Sequence, residues 1–272
     1  MPQKRLWSYM KIKNAKVLIT GASRGIGLAL AEGLARKGAS LYLVARKLPA
    51  KLEKDLKQLG AHSVELLNFD LSERGATESI FALVAKKNIE IDILINNAGL
   101  LTGGLLEKQD RAAIRAMLDV NLTALIELSH LFLPGMLERK RGLIVNNSSV
   151  SGKMFFPCAS TYAASKAGVV AFTESLYQEL RGTGVSTLLA ITPGVKTKMF
   201  DEIPKLYGEN LKLDFLSSIT AESWAQHLIQ AIERDARYCL PKGPTRANLW
   251  ISAHFPKVFE SLVGSRFRRS EL

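Results

Sequence analysis

The sequence predicts an α/β protein: one doubly wound domain with a seven-stranded parallel sheet and helices on both faces. Short β-branched, apolar runs alternate with helical stretches along most of the chain. Most of these runs are apolar on both faces, as strands buried between helix layers must be. No Pro/Gly-rich linker and no internal repeat divides the 272 residues, so the units belong to one domain.

The elements follow in order. Residues 16–20 (Lys-Val-Leu-Ile-Thr) form the first expected strand, and a Gly-rich turn passes the chain to a helix over 26–37. A second strand at 40–45 precedes a helix at 52–59, and a third at 63–69 precedes one at 73–87. The fourth strand, 91–96, leads to a long helix over 109–139. Strands at 142–148 and 185–192 precede helices at 162–181 and 221–234, and a short run at 237–240 supplies the seventh strand. The domain is expected to occupy 14–242, with a lid at about 198–220. Basic extensions flank it at 1–13 and 243–272.

Composition excludes several classes. Hydrophobic residues make up 47% and charged residues 23%, so the chain can bury a core and is neither disordered nor collagen-like. No run of about 18 uncharged apolar residues occurs, so no membrane-spanning helix is expected. The basic start is not followed by the apolar stretch of a secretory signal. Cys158 and Cys239 form no CxxC pair, which suits a reducing, cytoplasmic setting. His62, His130, His227 and His254 are scattered without metal-ligand spacing, so no metal site is expected.

The net charge of +12 sits mostly at the two ends. Residues 1–16 hold five basic residues and no acid; residues 234–272 hold eight basic and three acidic ones. Solvated termini, an anionic membrane surface touched peripherally, or an acidic protein partner all fit this distribution. Nucleic acid is not an expected partner, because no helix-turn-helix, zinc or RNA-binding motif accompanies the charge.

The first strand runs into Thr20-Gly21-Ala22-Ser23-Arg24-Gly25-Ile26-Gly27. Glycines there let the backbone approach a pyrophosphate, and the following helix offers free N–H groups and partial positive charge. Strand, turn and helix in the first unit predict a Rossmann dinucleotide site. The spacing Gly-x-x-x-Gly-x-Gly closely resembles the cofactor motif of the short-chain dehydrogenase/reductase family, and the resemblance covers about residues 14–242. Its relatives here are like 3-oxoacyl-carrier-protein reductases and carbonyl reductases. An acid about 20 residues past the glycines marks an NAD site. Here Arg46 lies 19 residues after Gly27, in Ala45-Arg46-Lys47, with no acid at that strand end. A guanidinium can pair with a 2′-phosphate, and Arg24 adds a second positive charge, so NADP(H) is the expected cofactor.

Further matches follow. Asp70, with Leu71 beside it, stands where the family's Asp meets the adenine; Ser72 and Glu73 behind it also suit a helix N-cap. Asn96-Asn97-Ala98-Gly99 looks like the family's Asn-Asn-Ala-Gly, whose small residues let the chain pass close to the cofactor. Pro193-Gly194-Val195-Lys196-Thr197 is similar to the segment over the nicotinamide amide, with Thr197 one residue closer to the Pro than in many members.

Tyr162 and Lys166 lie four residues apart, on one face of a helix. An ammonium beside a phenol favours phenolate and is expected to bring its pKa toward the working range. Ser149 lies 13 residues before Tyr162, the family's spacing for the Ser that holds the substrate oxygen; Ser148 is the rival. Asn121 matches the helix Asn that supports a proton relay in the family. The resemblance implies hydride transfer between nicotinamide and a carbonyl or alcohol carbon, with Tyr162 as proton donor and Lys166 on the nicotinamide ribose.

An apolar lid containing Met199, Phe200, Leu206, Tyr207, Leu211, Leu213, Phe215 and Leu216 suggests a hydrophobic substrate. A 3-oxoacyl thioester, a steroid- or retinoid-like lipid and a small ketone all fit, and lipid metabolism is the expected setting. In the tail, Ile251, Phe255, Val258, Phe259, Leu262, Val263 and Phe267 fall roughly at helical spacing, interrupted by Pro256. That segment packs on the subunit, forms an oligomer contact or lies on an anionic bilayer. A homodimer or homotetramer is expected, as in the family. The alternative function is a catalytically silent NADP(H)-binding sensor or scaffold.

Overall fold

The computed structural model describes residues 11–213 and 217–269, so Lys4, Arg5, Phe215 and Leu216 lie outside the described residues. Its strands are β1 (Lys16–Thr20), β2 (Ser40–Ala45), β3 (Ser63–Asn68), β4 (Ile93–Asn96), β5 (Gly142–Ser149), β6 (Val185–Thr192), β7 (Val195–Lys196), β8 (Ile219–Thr220) and β9 (Tyr238–Cys239). Its α-helices are α1 (Gly25–Ala35), α2 (Lys51–Gln58), α3 (Ala76–Lys86), α4 (Arg111–Leu118), α5 (Ala124–Glu138), α6 (Ser160–Glu179), α7 (Ile203–Tyr207), α8 (Ala221–Glu233), α9 (Pro244–His254) and α10 (Pro256–Gly264).

Seven strands form one parallel sheet in the order β3-β2-β1-β4-β5-β6-β9, and β7 pairs with β8 apart from it. Strand order reverses between β1 and β4, and the crevice beyond the carboxyl ends at such a reversal is where doubly wound sheets bind ligands. The period-2 alternation of side chains sorts β1 between two cores. Val17 and Ile19 pack with Leu30 and Leu34 of α1 and Trp224 and Leu228 of α8. Leu18 faces the other way, toward the layer that contains Ile80 of α3 and Leu128 and Phe132 of α5. Burial of this kind contributes about 1.5–3 kcal/mol per large apolar side chain.

The strands at 16–20, 40–45 and 185–192 have the expected bounds; the others move by one to two residues. Two departures have physical causes. The helix expected from residue 73 starts at Ala76, because Gly75 takes the N-cap position with φ 83°. Asp70 is therefore not a helix cap. Its carboxylate accepts hydrogen bonds from the Ser72 N–H (3.0 Å) and hydroxyl (2.7 Å), closing a turn under β3.

The second departure is in the long helix, which is not continuous. A π-helical turn, Asp119–Thr123, separates α4 from α5 and carries Asn121. The whole helical run, Arg111–Glu138, is long and apolar enough to cross a membrane by length and composition. In the fold Leu128, Phe132 and Met136 of this run pack into the core beside the sheet.

The C-terminal tail packs on the body. Pro256 ends α9 and begins α10, where its fixed φ suits the first turn. Phe259 and Val263 of α10 are buried with Met154, and Phe156 meets Phe259 edge to face at 5.7 Å.

Candidate active site

The carboxyl ends of the central strands are tied together by side chains. The Thr20 hydroxyl accepts the N–H groups of Asn97 and Ala98, both at 2.9 Å. The Asn97 amide donates to the Thr20 carbonyl at 3.0 Å, and the Asn147 amide donates to Asn97 Oδ1 at 3.0 Å. Thr192 completes the line, donating to Asn147 and accepting from Trp224 Nε1 at 3.1 Å. These bonds join the ends of β1, β5 and β6 to the residue that follows β4, which fixes the strand ends in place.

Against this edge the Gly-rich turn lies very close. A Cβ on Gly21 would sit 2.8 Å from the Ala98 Cα, and one on Gly27 would sit 2.2 Å from the Gly21 carbonyl oxygen. Gly21 also has φ 70°, so both space and backbone require glycine. No side chain caps the N-terminus of α1, whose first-turn N–H groups remain available to an anion. The turn is a cradle of the kind a pyrophosphate fills.

A cavity of about 1260 Å³ extends from this cradle across the sheet edge. Such a volume exceeds the roughly 300–1,000 Å³ of a single small-ligand pocket and has room for a dinucleotide and a second molecule. Gly21, Ser23, Arg24, Gly25, Ile26 and Gly27 form one wall. Arg46, Asp70 and Leu71 line the end near β2 and β3; Asn97, Ala98, Gly99, Pro193, Gly194 and Val195 line the centre. Thr197 reaches back to the turn, its Cγ2 3.1 Å from where a Gly25 Cβ would stand, so the shorter loop still closes over the cradle. Burial tends to raise the Asp70 carboxyl, but the Ser72 hydrogen bonds and the Arg46 charge outweigh it and hold it below the usual range.

Ser149, Tyr162 and Lys166 share the same cavity. The Ser149 hydroxyl acts on the Tyr162 phenol and favours its charged form. Ser149 also accepts the Ser151 N–H at 3.2 Å. Ser148 also borders the cavity, but its buried hydroxyl is committed to the Lys166 carbonyl at 2.8 Å, which separates the two serines. Lys166 is buried, its Nζ donates to the Asn147 carbonyl at 3.0 Å, and it lies 5.9 Å from the Tyr162 ring centre.

The expected lowering of the Tyr162 pKa is not what the protein itself produces. Burial pushes the Tyr162 phenol up to about 12, only partly opposed by the Ser149 hydroxyl. Burial pushes the Lys166 ammonium down to about 8. Desolvation penalises both charged forms.

Asn121 does not line the cavity. It is buried behind the wall, where its Oδ1 accepts the Leu100 N–H at 2.7 Å. Its amide donates to the Leu100 carbonyl (3.0 Å) and to Ser165 Oγ (3.1 Å). The π-turn aims Asn121 at the chain just after Gly99 and at α6, one residue before Lys166. π-Bulges often mark functional positions for this reason.

Two contributions go beyond the expected lid and tail packing. Tyr207 of α7 is a second buried phenol in the cavity; its hydroxyl donates to the Thr102 carbonyl at 3.4 Å. Burial, then the neighbouring Tyr162 and Cys158, pushes it up. Ile251, Phe259 and Val263 of the tail give the cavity an apolar wall, Phe259 and Val263 packing with Met154. Among the described residues no cluster of His, Cys, Asp or Glu could hold a metal ion.

Comparison with known proteins agrees with this fold. A family model described as short chain dehydrogenase matches residues 15–207. The ketoacyl reductase HetN of Nostoc is 38% identical over 183 residues, 65% of this chain and 62% of HetN. The 3-oxoacyl-[acyl-carrier-protein] reductase FabG of Vibrio cholerae is 33% identical, covering 70% of this chain and 77% of its own. Dehydrogenase/reductase SDR family member 7B of Rattus norvegicus is 30% identical across 95% of this chain and 83% of its own. A metagenomic short-chain oxidoreductase solved in complex with NADP superposes with TM-score 0.70 at 29% identity, covering 86% of this chain and 100% of its own.

Proposed function

The chain belongs to the short-chain dehydrogenase family, and on that premise we propose that it is an NADP(H)-dependent reductase of a hydrophobic carbonyl compound. One observation carries the reading. Ser149, Tyr162 and the buried Lys166 share one cavity with the glycine cradle and an apolar wall.

The N-terminus of α1 would hold the pyrophosphate, Arg46 and Arg24 the 2′-phosphate, Asp70 and Leu71 the adenine end, and Lys166 the nicotinamide ribose. Thr197 and the Pro193–Val195 segment would flank the nicotinamide amide. The nicotinamide, when bound, supplies or accepts the hydride. Ser149 donates a hydrogen bond to the carbonyl oxygen, where negative charge grows as the carbon is reduced. Tyr162 gives that oxygen its proton, and its neutral form is abundant at physiological pH because burial holds the pKa high. The Lys166 ammonium stabilises the phenolate that this transfer leaves. Asn121 ties the chain at Leu100 to Ser165, the residue before Lys166 on α6.

The pH dependence tests this division of labour. Lys166, pushed down to about 8, carries its charge below that pH and loses it above. Carbonyl reduction with saturating NADPH should therefore hold level on the acid side and fall through pH about 8. A rate that rises through this range, or stays level to pH about 10, contradicts the role given to Lys166.

The runs of apolar lining explain the choice of substrate class. Met154, Phe156, Leu211 and Leu213 join the tail wall around the end of the cavity that faces Tyr162 and Tyr207. Ketoacyl and 3-oxoacyl reductases among the relatives favour the same class.

A further inference from the structure

We propose that α9 and α10 dock the protein on an anionic lipid surface, with the apolar end of the cavity opening beside that contact. This goes beyond the reductase reading and does not depend on turnover.

Four of the nine large apolar side chains exposed among the described residues lie between positions 250 and 262: Trp250, Phe255, Val258 and Leu262. Each is at least half exposed. Their placement is ordered. Phe255, Val258 and Leu262 recur at helical spacing on one side of α10, while Phe259 and Val263 turn inward. Trp250 meets Phe255 at 5.6 Å and His254 at 4.8 Å, forming an aromatic edge. Soluble surfaces rarely gather large apolar groups this way, and Trp is enriched where a membrane meets water.

Charge selects the occupant. Described residues 242–269 hold Lys242, Arg246, Lys257, Arg266, Arg268 and Arg269 against the single acid Glu260. Arg269 is committed to Glu107, which leaves a clear excess of positive charge around the apolar strip. A second copy presenting the same strip would bring like charges together, whereas anionic headgroups complement them. An apolar strip flanked by basic residues has the composition of an interfacial helix. Continuity with the cavity adds a reason for a lipid. Leu262 lies in the exposed strip and also lines the cavity, so an apolar molecule leaving a bilayer would meet apolar side chains along its path.

The test is co-sedimentation of the full chain with phosphatidylcholine vesicles, with and without phosphatidylserine, at low and high salt. Trp250→Ser, Phe255→Ser and Val258→Ser together form the variant, since all three side chains are exposed and none lines the cavity; NADPH binding reports that it folds. The full chain should bind the anionic vesicles, release with salt, and bind neutral ones weakly. The variant should bind them about tenfold or more weakly. Absence of binding to anionic vesicles at low salt overturns the proposal. So does binding that survives in the variant but disappears when residues 1–10 are deleted, which would place the contact at the basic N-terminus. A full chain that ignores vesicles and self-associates, with a monomeric variant, overturns it in favour of a second copy.

Discussion

Replacing Tyr162 by Phe should lower kcat for carbonyl reduction by roughly 100- to 10,000-fold, the usual contribution of a positioned proton donor. The substitution removes one oxygen and leaves the ring, whose centre lies 5.9 Å from Lys166 Nζ. NADPH affinity, measured by fluorescence titration, should change by less than about threefold, because the glycine cradle, Arg46 and Lys166 are untouched. Loss of rate with affinity retained separates chemistry from binding. Near-full activity in the variant would show that the proton comes from elsewhere, and Tyr207 would be the phenol to examine next.

Exchanging Arg46 for Asp should reverse cofactor choice. The ratio of kcat/KM for NADPH to that for NADH is expected to fall about 100-fold or more. At about 1.4 kcal/mol per tenfold, this is about 2.8 kcal/mol, the scale of losing a charge-assisted pair and gaining a repulsion. Arg46 is exposed at the end of β2, so the fold should tolerate the change, and thermal melting would check this. An unchanged ratio would move 2′-phosphate recognition to Arg24 or Lys47.

The features legible in the sequence were those written locally. The β1 run, the glycine spacing and the strand-end Asn97 are short-range patterns, and each appears in the fold where the pattern placed it. The Tyr162–Lys166 pair was legible for the same reason, since four residues on α6 fix a common face. What the sequence concealed depends on distant partners. Periodicity over 109–139 is helical throughout, and only the bonds from Asn121 to Leu100 and Ser165 give the π-turn a reason to exist. The Tyr162 phenol was expected to be lowered by its neighbouring ammonium, but burial, which no spacing reports, outweighs that effect. The tail's inward face became visible only through its contacts with Met154 and Phe156, about a hundred residues earlier.

The measurement that bears most directly on the proposed activity is NADPH consumption across a series of ketones and 3-oxoacyl thioesters of increasing apolar length, alongside NADPH binding. Turnover should occur, and kcat/KM should rise with apolar length until the substrate reaches the wall formed by Ile251, Phe259 and Val263. Tight NADPH binding without consumption by any member of the series would contradict the reductase assignment and leave a cofactor-binding sensor in its place.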